Sequence, residues 1–130
     1  MKHVEVVCAL IENDEGKIFC CKRGPGRALE GYWEFPGGKV EENETHEETI
    51  VREIKEELNS EIIPLEYLGV SNYTYPDMPP YKGFSITLHA YKCKLIKGNL
   101  ELSEHVDKTW KTKEEMKEML FAEADRPFIS

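Results

Sequence analysis

Apolar residues along this chain fall into short extended runs and helix-spaced stripes, separated by breaks rich in glycine, proline and asparagine. His3 to Ile11 reads as a largely buried strand. Asn13-Asp14-Glu15-Gly16 is a turn sequence, and Lys17-Ile18-Phe19-Cys20-Cys21 resumes the extended pattern, so the two runs predict a β-hairpin. Gly24-Pro25-Gly26-Arg27 opens a loop, Tyr32-Trp33-Glu34-Phe35 is short and aromatic, and Pro36-Gly37-Gly38 punctuates the chain. A helix is predicted from Thr45 to about Leu58 and a strand from Ile62 to Ser71. Tyr75 to Gly83 holds three prolines and a glycine and must be loop. Phe84 to Ile96 predicts a long strand, and after Lys97-Gly98-Asn99 another ends near Trp110. Thr112-Lys113-Glu114-Glu115 opens a second helix, and Ala122 to Ile129 begins a third. Strands separated by marked helices predict an α/β fold with a mixed sheet and helices on its faces. With no repeat or linker, residues 1–130 read as a single domain.

The first helix is the informative one. Thr45 is placed to cap it, with Glu48 three residues on to complete a capping box. At about 100° per residue, Ile50, Val51, Ile54 and Leu58 share an apolar face. Glu53, Glu56 and Glu57 gather on another, at positions i, i+3 and i+4. Glu53 and Glu57 are like charges one turn apart, and negative charge at a helix C-terminus opposes its dipole. A divalent cation among the carboxylates reverses both penalties, and magnesium prefers oxygen ligands and substrate phosphates. Taken alone, the helix reads more readily as an ordinary solvated acidic face. Gly37-Gly38 before it shifts the balance, because no side chain there blocks a close approach of backbone to a metal or phosphate.

Composition narrows the partners. The 25 acidic residues exceed the 17 basic ones, and a net charge of -8 repels a phosphate backbone, so polymeric DNA or RNA is a poor partner. A small phosphorylated ligand stays open, since a bound cation inverts the sign locally. Cys8, Cys20, Cys21 and Cys93 show no CxxC spacing and read as reduced, small hydrophobes. No apolar run approaches the roughly 20 residues that span a bilayer, and Glu5 interrupts any secretory signal, so no membrane association and a cytoplasmic location are expected.

Gly38, Glu44 and Arg52-Glu53-Ile54-Lys55-Glu56-Glu57 stand at the spacings of the Nudix box, and the chain resembles the Nudix family. Asn59 departs from the usual glycine and Ser60 from an apolar residue; asparagine is the next-best residue for a left-handed helix end. Trp33-Glu34-Phe35-Pro36-Gly37-Gly38-Lys39, Glu104 six residues before Trp110, and Ala124-Asp125-Arg126-Pro127 extend the resemblance toward the MutT-like branch.

The resemblance implies a Nudix-type α/β/α sandwich that hydrolyses a nucleoside triphosphate to the monophosphate and pyrophosphate. The nucleotide is an oxidised purine such as 8-oxo-dGTP, or CTP- or dCTP-like. It implies Mg2+, or Mn2+ in its place, held by Glu53, Glu56, Glu57 and the Gly37 carbonyl, with Glu104 as a further carboxylate. Either Glu53 or Glu104 takes the proton of the attacking water. Arg52 orients the glutamates through a bidentate contact, with Glu56 the nearest candidate, and Glu44 supports from behind. Gly38, Lys39 and Arg23 are candidates for phosphate binding, although each cation reads equally as solvated surface. Phe35 and Trp33 either stack on a base or belong to the core. Asp125 either reads a base edge or caps a helix. His105 reads as structural. A monomer or homodimer is expected. The alternatives are a nucleotide-sensing module without turnover, and hydrolysis of another nucleoside diphosphate derivative.

Overall fold

The computed structural model describes all of residues 1–130 as two sheets, one main helix and two short helical turns. The larger sheet is built from β1 (Lys2–Ile11), β4 (Gly37–Lys39), β5 (Glu61–Tyr75) and β6 (Phe84–Lys97) in the order β4-β1-β6-β5. It is mixed, as expected: β1 runs parallel to β6, and the β1–β4 and β6–β5 pairs are antiparallel. The smaller antiparallel sheet holds β2 (Ile18–Arg23), β3 (Trp33–Glu34) and β7 (His105–Lys111), ordered β3-β2-β7.

The predicted hairpin of residues 3–11 and 17–21 does not form. The two runs meet only in an isolated bridge between Glu12 and Ile18, and β2 leaves to pair with β3 and β7. The turn itself is as expected: the Asn13 side chain accepts from the Glu15 and Lys17 amides, and Gly16 has φ 76°. Local turn chemistry therefore set the reversal, and tertiary pairing chose the partner strands. Pro36-Gly37-Gly38, read as punctuation, instead leads into β4 against Val6, Val7 and Cys8.

Helix α1 (His46–Leu58) starts at Thr45 with both halves of the capping box made and ends on Asn59 in the left-handed conformation, φ 47°. Ile50, Ile54 and Leu58 are fully buried against Val7, Ala9 and Ile11. Val51, assigned to the same stripe, is 38% exposed. Thr49 takes the inner flank instead, its hydroxyl donating to Glu44 and to the Thr45 carbonyl.

The opposite face of the main sheet carries Cys8, Leu10, Leu88 and Ala90, covered by Phe35, Met116, Phe121 and Ile129. The second predicted helix is a single turn, α2 (Lys113–Met116), capped by Thr112. The third is only a 3-10 turn, Arg126–Phe128, since Pro127 has no amide to continue a helical ladder. The sandwich is thus asymmetric, with one real helix on one side and irregular chain on the other. All four cysteines are free and buried. No helix is long and apolar enough to cross a membrane.

Candidate active site

A cleft of about 370 Å³ opens between the main sheet, the loop after β2 and the C-terminal segment, within the size range of small-molecule sites. At one end stand Gly37, Gly38, Lys39, Glu53, Glu57 and Glu104, and at the other Phe35, Tyr75, Ile86, Ala124 and Asp125. Arg23 lines it as well. The fold therefore gathers most of the sequence-derived candidates into one cavity. Trp33 is outside its lining, and so are Arg52, Glu44 and Glu56.

These three form the frame behind it. Arg52 grips Glu44 with two parallel bonds, Nε to Oε2 at 2.7 Å and Nη2 to Oε1 at 2.9 Å. Its remaining Nη1 reaches Glu53 at 2.9 Å and Glu56 at 3.3 Å. The bidentate partner is thus Glu44 and not Glu56. Residues i and i+4 meet only along the helix flank, whereas Glu44, just before the cap, presents both oxygens to the fork. The Arg52 hydrogen bonds hold Glu44 down at about 2, with Thr49 adding to the effect. Glu56 is 60% exposed and turned toward Arg52.

Both glycines of β4 allow a close approach that the sequence did not show. A Cβ on Gly37 would overlap the Val7 carbonyl and Cys8 of β1. A Cβ on Gly38 would overlap the Glu53 carboxylate. The close approach is made by the protein to itself: Gly38 lets the Glu53 side chain lie across the strand.

Glu53 and Glu57 lie one turn apart on α1 and both line the cleft. Burial, then the neighbouring Glu53 carboxylate, then Glu104, push Glu57 up to about 9. Glu57 Oε2 is buried with no hydrogen-bond partner. No three His, Cys, Asp or Glu side chains converge tightly enough in this conformation to ligate one ion by themselves. The donor chemistry nevertheless fits a hard divalent cation. Carboxylates outnumber cations among the side chains at this end, and one buried carboxylate oxygen lacks a partner. Glu53, Glu57, Glu104 and Gly37 line this end of the cleft, whereas Glu56 is bound to Arg52.

At the far end the side chains form a second polar network. Asp125 is buried, and its Oδ2 accepts from the Phe35 amide at 2.9 Å across 90 residues of chain. It makes no capping hydrogen bond to the turn that follows, so the N-cap reading falls away. Burial, reinforced by the charge of Glu34, raises Asp125 well above the usual carboxylate range. Glu34 goes the other way: burial would raise it, but the His105 hydrogen bond and the Arg23 charge together hold it below its ordinary value. His105 Nε2 sits 2.9 Å from Glu34, and its Nδ1 is buried and unpaired. Arg23 is largely engaged, with Nη1 on both Glu34 oxygens at 3.2 Å and Nε on the Ala28 carbonyl at 2.7 Å. Lys39 is exposed at the rim. Phe35 is 3% exposed and packs on Phe121 at 5.0 Å, the arrangement of a core residue that also borders the cleft.

Sequence reasoning passed over Glu34 and Arg27, and set His105 aside as structural. Glu34 stood inside the quoted Trp33–Lys39 segment, but only the pairing of β2 with β3 and β7 brings it to Arg23 and His105.

A NUDIX domain model matches residues 1–130. The chain is 37% identical over 129 residues to a CTP pyrophosphohydrolase of Escherichia coli (strain K12), covering 99% of this chain and 90% of that protein. It is 32% identical over 76 residues to an 8-oxo-dGTP diphosphatase of Proteus vulgaris, covering 58% of this chain and 68% of the other. Among solved structures, the MutT protein of methicillin-resistant Staphylococcus aureus 252 superposes with a TM-score of 0.73 at 35% identity, over 99% of this chain and 95% of that one.

Proposed function

The chain belongs to the Nudix family, and we propose that its cleft hydrolyses a nucleoside triphosphate of the CTP class to the monophosphate and pyrophosphate. It is a Nudix hydrolase acting on nucleoside triphosphates, the activity its relatives share. One observation carries the reading. Glu53, lying against Gly38, and Glu57, with its buried unpaired oxygen, line the same cleft as the buried Asp125. A site with surplus carboxylate charge at one end and a buried polar anchor at the other suits a polyphosphate attached to a base.

Mg2+, with Mn2+ as substitute, is the proposed cofactor, held by Gly37, Glu53, Glu57, Glu104 and a released Glu56; when bound, it polarises phosphoryl oxygens and lowers the pKa of an attacking water. The chain's own residues do the rest. Glu44 fixes Arg52, and Arg52 fixes Glu53 from behind. Glu53 and Glu104 are the two carboxylates suited to take the water's proton, and Lys39 at the rim meets phosphate charge. Asp125, whose burial favours the protonated form, is the proposed donor to the base, and Glu34 beside it, held below its ordinary value, the proposed acceptor. Cytosine presents the complementary pair, an N4–H donor next to the N3 acceptor. Arg23 and His105 hold Glu34 for that contact. The second reading, an oxidised purine nucleotide, is supported by the similarity to the 8-oxo-dGTP diphosphatase.

Pyrophosphate release is measured across CTP, dCTP, 8-oxo-dGTP and the standard triphosphates with Mg2+. Cytidine nucleotides are expected to give the highest kcat/KM, and EDTA to stop turnover. A preference for 8-oxo-dGTP would replace the cytidine reading with the second one. Tight binding without product would mark a sensing module. Inactivity across triphosphates, sugar nucleotides and dinucleoside polyphosphates would reject the hydrolase.

A further inference from the structure

We propose that Arg27 is a substrate-contacting residue whose guanidinium grips the phosphate chain of the nucleotide; the inference rests on the cleft being the nucleotide site. Arg27 sits in the loop between β2 and β3 and lines the cleft. Its Nη1 is buried and has no hydrogen-bond partner, although Glu34, Glu53, Glu57, Glu104 and Asp125 line the same cavity. The contrast is with Arg23, whose Nε and Nη1 are both taken by the protein. A guanidinium cannot shed its charge, so a buried N–H without an acceptor is unfavourable in the free protein and is relieved by an incoming anion.

The loop is built to hold that side chain at the cleft. Gly26 and Gly31 take positive φ values of 81° and 84°, and Leu29 between them has φ 61°. The strained Leu29 packs on the cluster beneath Phe35, and the neighbouring Ala28 carbonyl is tied to Arg23. Phosphate is the partner rather than the base, because a planar fork of donors matches two anionic oxygens while a neutral base brings no charge.

The test compares wild type with R27A and R27K. Turnover is followed by pyrophosphate release, and binding by calorimetry with α,β-methylene analogues of CTP and ATP plus Mg2+. R27A is expected to raise KM and Kd roughly 10- to 100-fold, to a similar extent for both bases, with R27K between it and wild type. The melting temperature of unliganded R27A should hold or rise, because an unpaired donor is gone, while the nucleotide-induced increase shrinks. A purely structural residue would show the opposite. Unchanged KM and Kd, or a loss confined to one base, would overturn the proposal, and R27K decides it if R27A does not fold. Analogue binding that depends on Arg27 without release of product would reject hydrolysis and leave Arg27 standing. Turnover indifferent to Arg27 does the reverse.

Discussion

Replacing Glu57 by glutamine is expected to stabilise the metal-free protein at neutral pH while removing its catalysis. Burial and the contact with Glu53 move Glu57 from an ordinary 4.5 to about 9. The unfolded chain releases this proton near the ordinary value, whereas the folded chain keeps it until about 9. Stability is therefore undiminished below the unfolded value and falls as pH rises across that interval. By pH 7 the loss reaches about 3 kcal/mol at about 1.4 kcal/mol per pH unit. Partial solvent access to the side chain brings it nearer 2 kcal/mol, an order-of-magnitude figure. Glutamine keeps the shape and has no proton to lose, so E57Q should recover that amount, a melting increase of roughly 5–10 °C for a domain of this size. The assay is urea unfolding of both proteins in EDTA at pH 5, 6, 7 and 8. Wild type should weaken along the series more steeply than E57Q, with the two converging at pH 5. Asp125, also raised by burial, contributes the same slope to both, so the difference isolates Glu57. Excess Mg2+ should reverse the ranking, because a cation that binds only the intact pair stabilises wild type alone. Equal slopes for the two proteins between pH 5 and 8, or an E57Q less stable than wild type in EDTA at pH 8, would refute the argument.

Two further substitutions probe the frame. G38A places a methyl group where the Glu53 carboxylate lies, and since the obstacle is the end of a flexible side chain, the fold should survive while Glu53 is displaced. Activity should drop about 100-fold with near-normal circular dichroism, and full turnover would show that Glu53 need not occupy that place. R52K keeps the charge but cannot hold Glu44 with two bonds and reach Glu53 at once. It should lower kcat on the order of tenfold or more with little change in KM, and an unaltered kcat would remove the role assigned to Arg52.

Much was legible along the chain because the physics involved is local. The capping box at Thr45, the left-handed stop at Asn59 and the buried stripe of Ile50, Ile54 and Leu58 depend only on residues within a few turns of one another. The same locality explains the failures. Whether residues 17–21 return to β1 or leave for β7 depends on which pairing buries more apolar surface across the whole domain, a choice no turn sequence encodes. One helix repeat could not reveal that Arg52 takes Glu44 bidentately, because Glu44 lies on the chain before the helix.

What sequence alone determined, then, was the chemistry on offer: three glutamates on a rigid helix beside two glycines, and the α/β alternation that carries them. Tertiary structure alone decided which charges are neutralised and which are left over. It brought Glu34 to Arg23 and His105, seated Asp125 on the Phe35 amide 90 residues away, and left Glu57 and Arg27 each with a buried polar atom unpaired. Burial, which sets the strength of every one of those interactions, is a property of the packed molecule and of no segment within it.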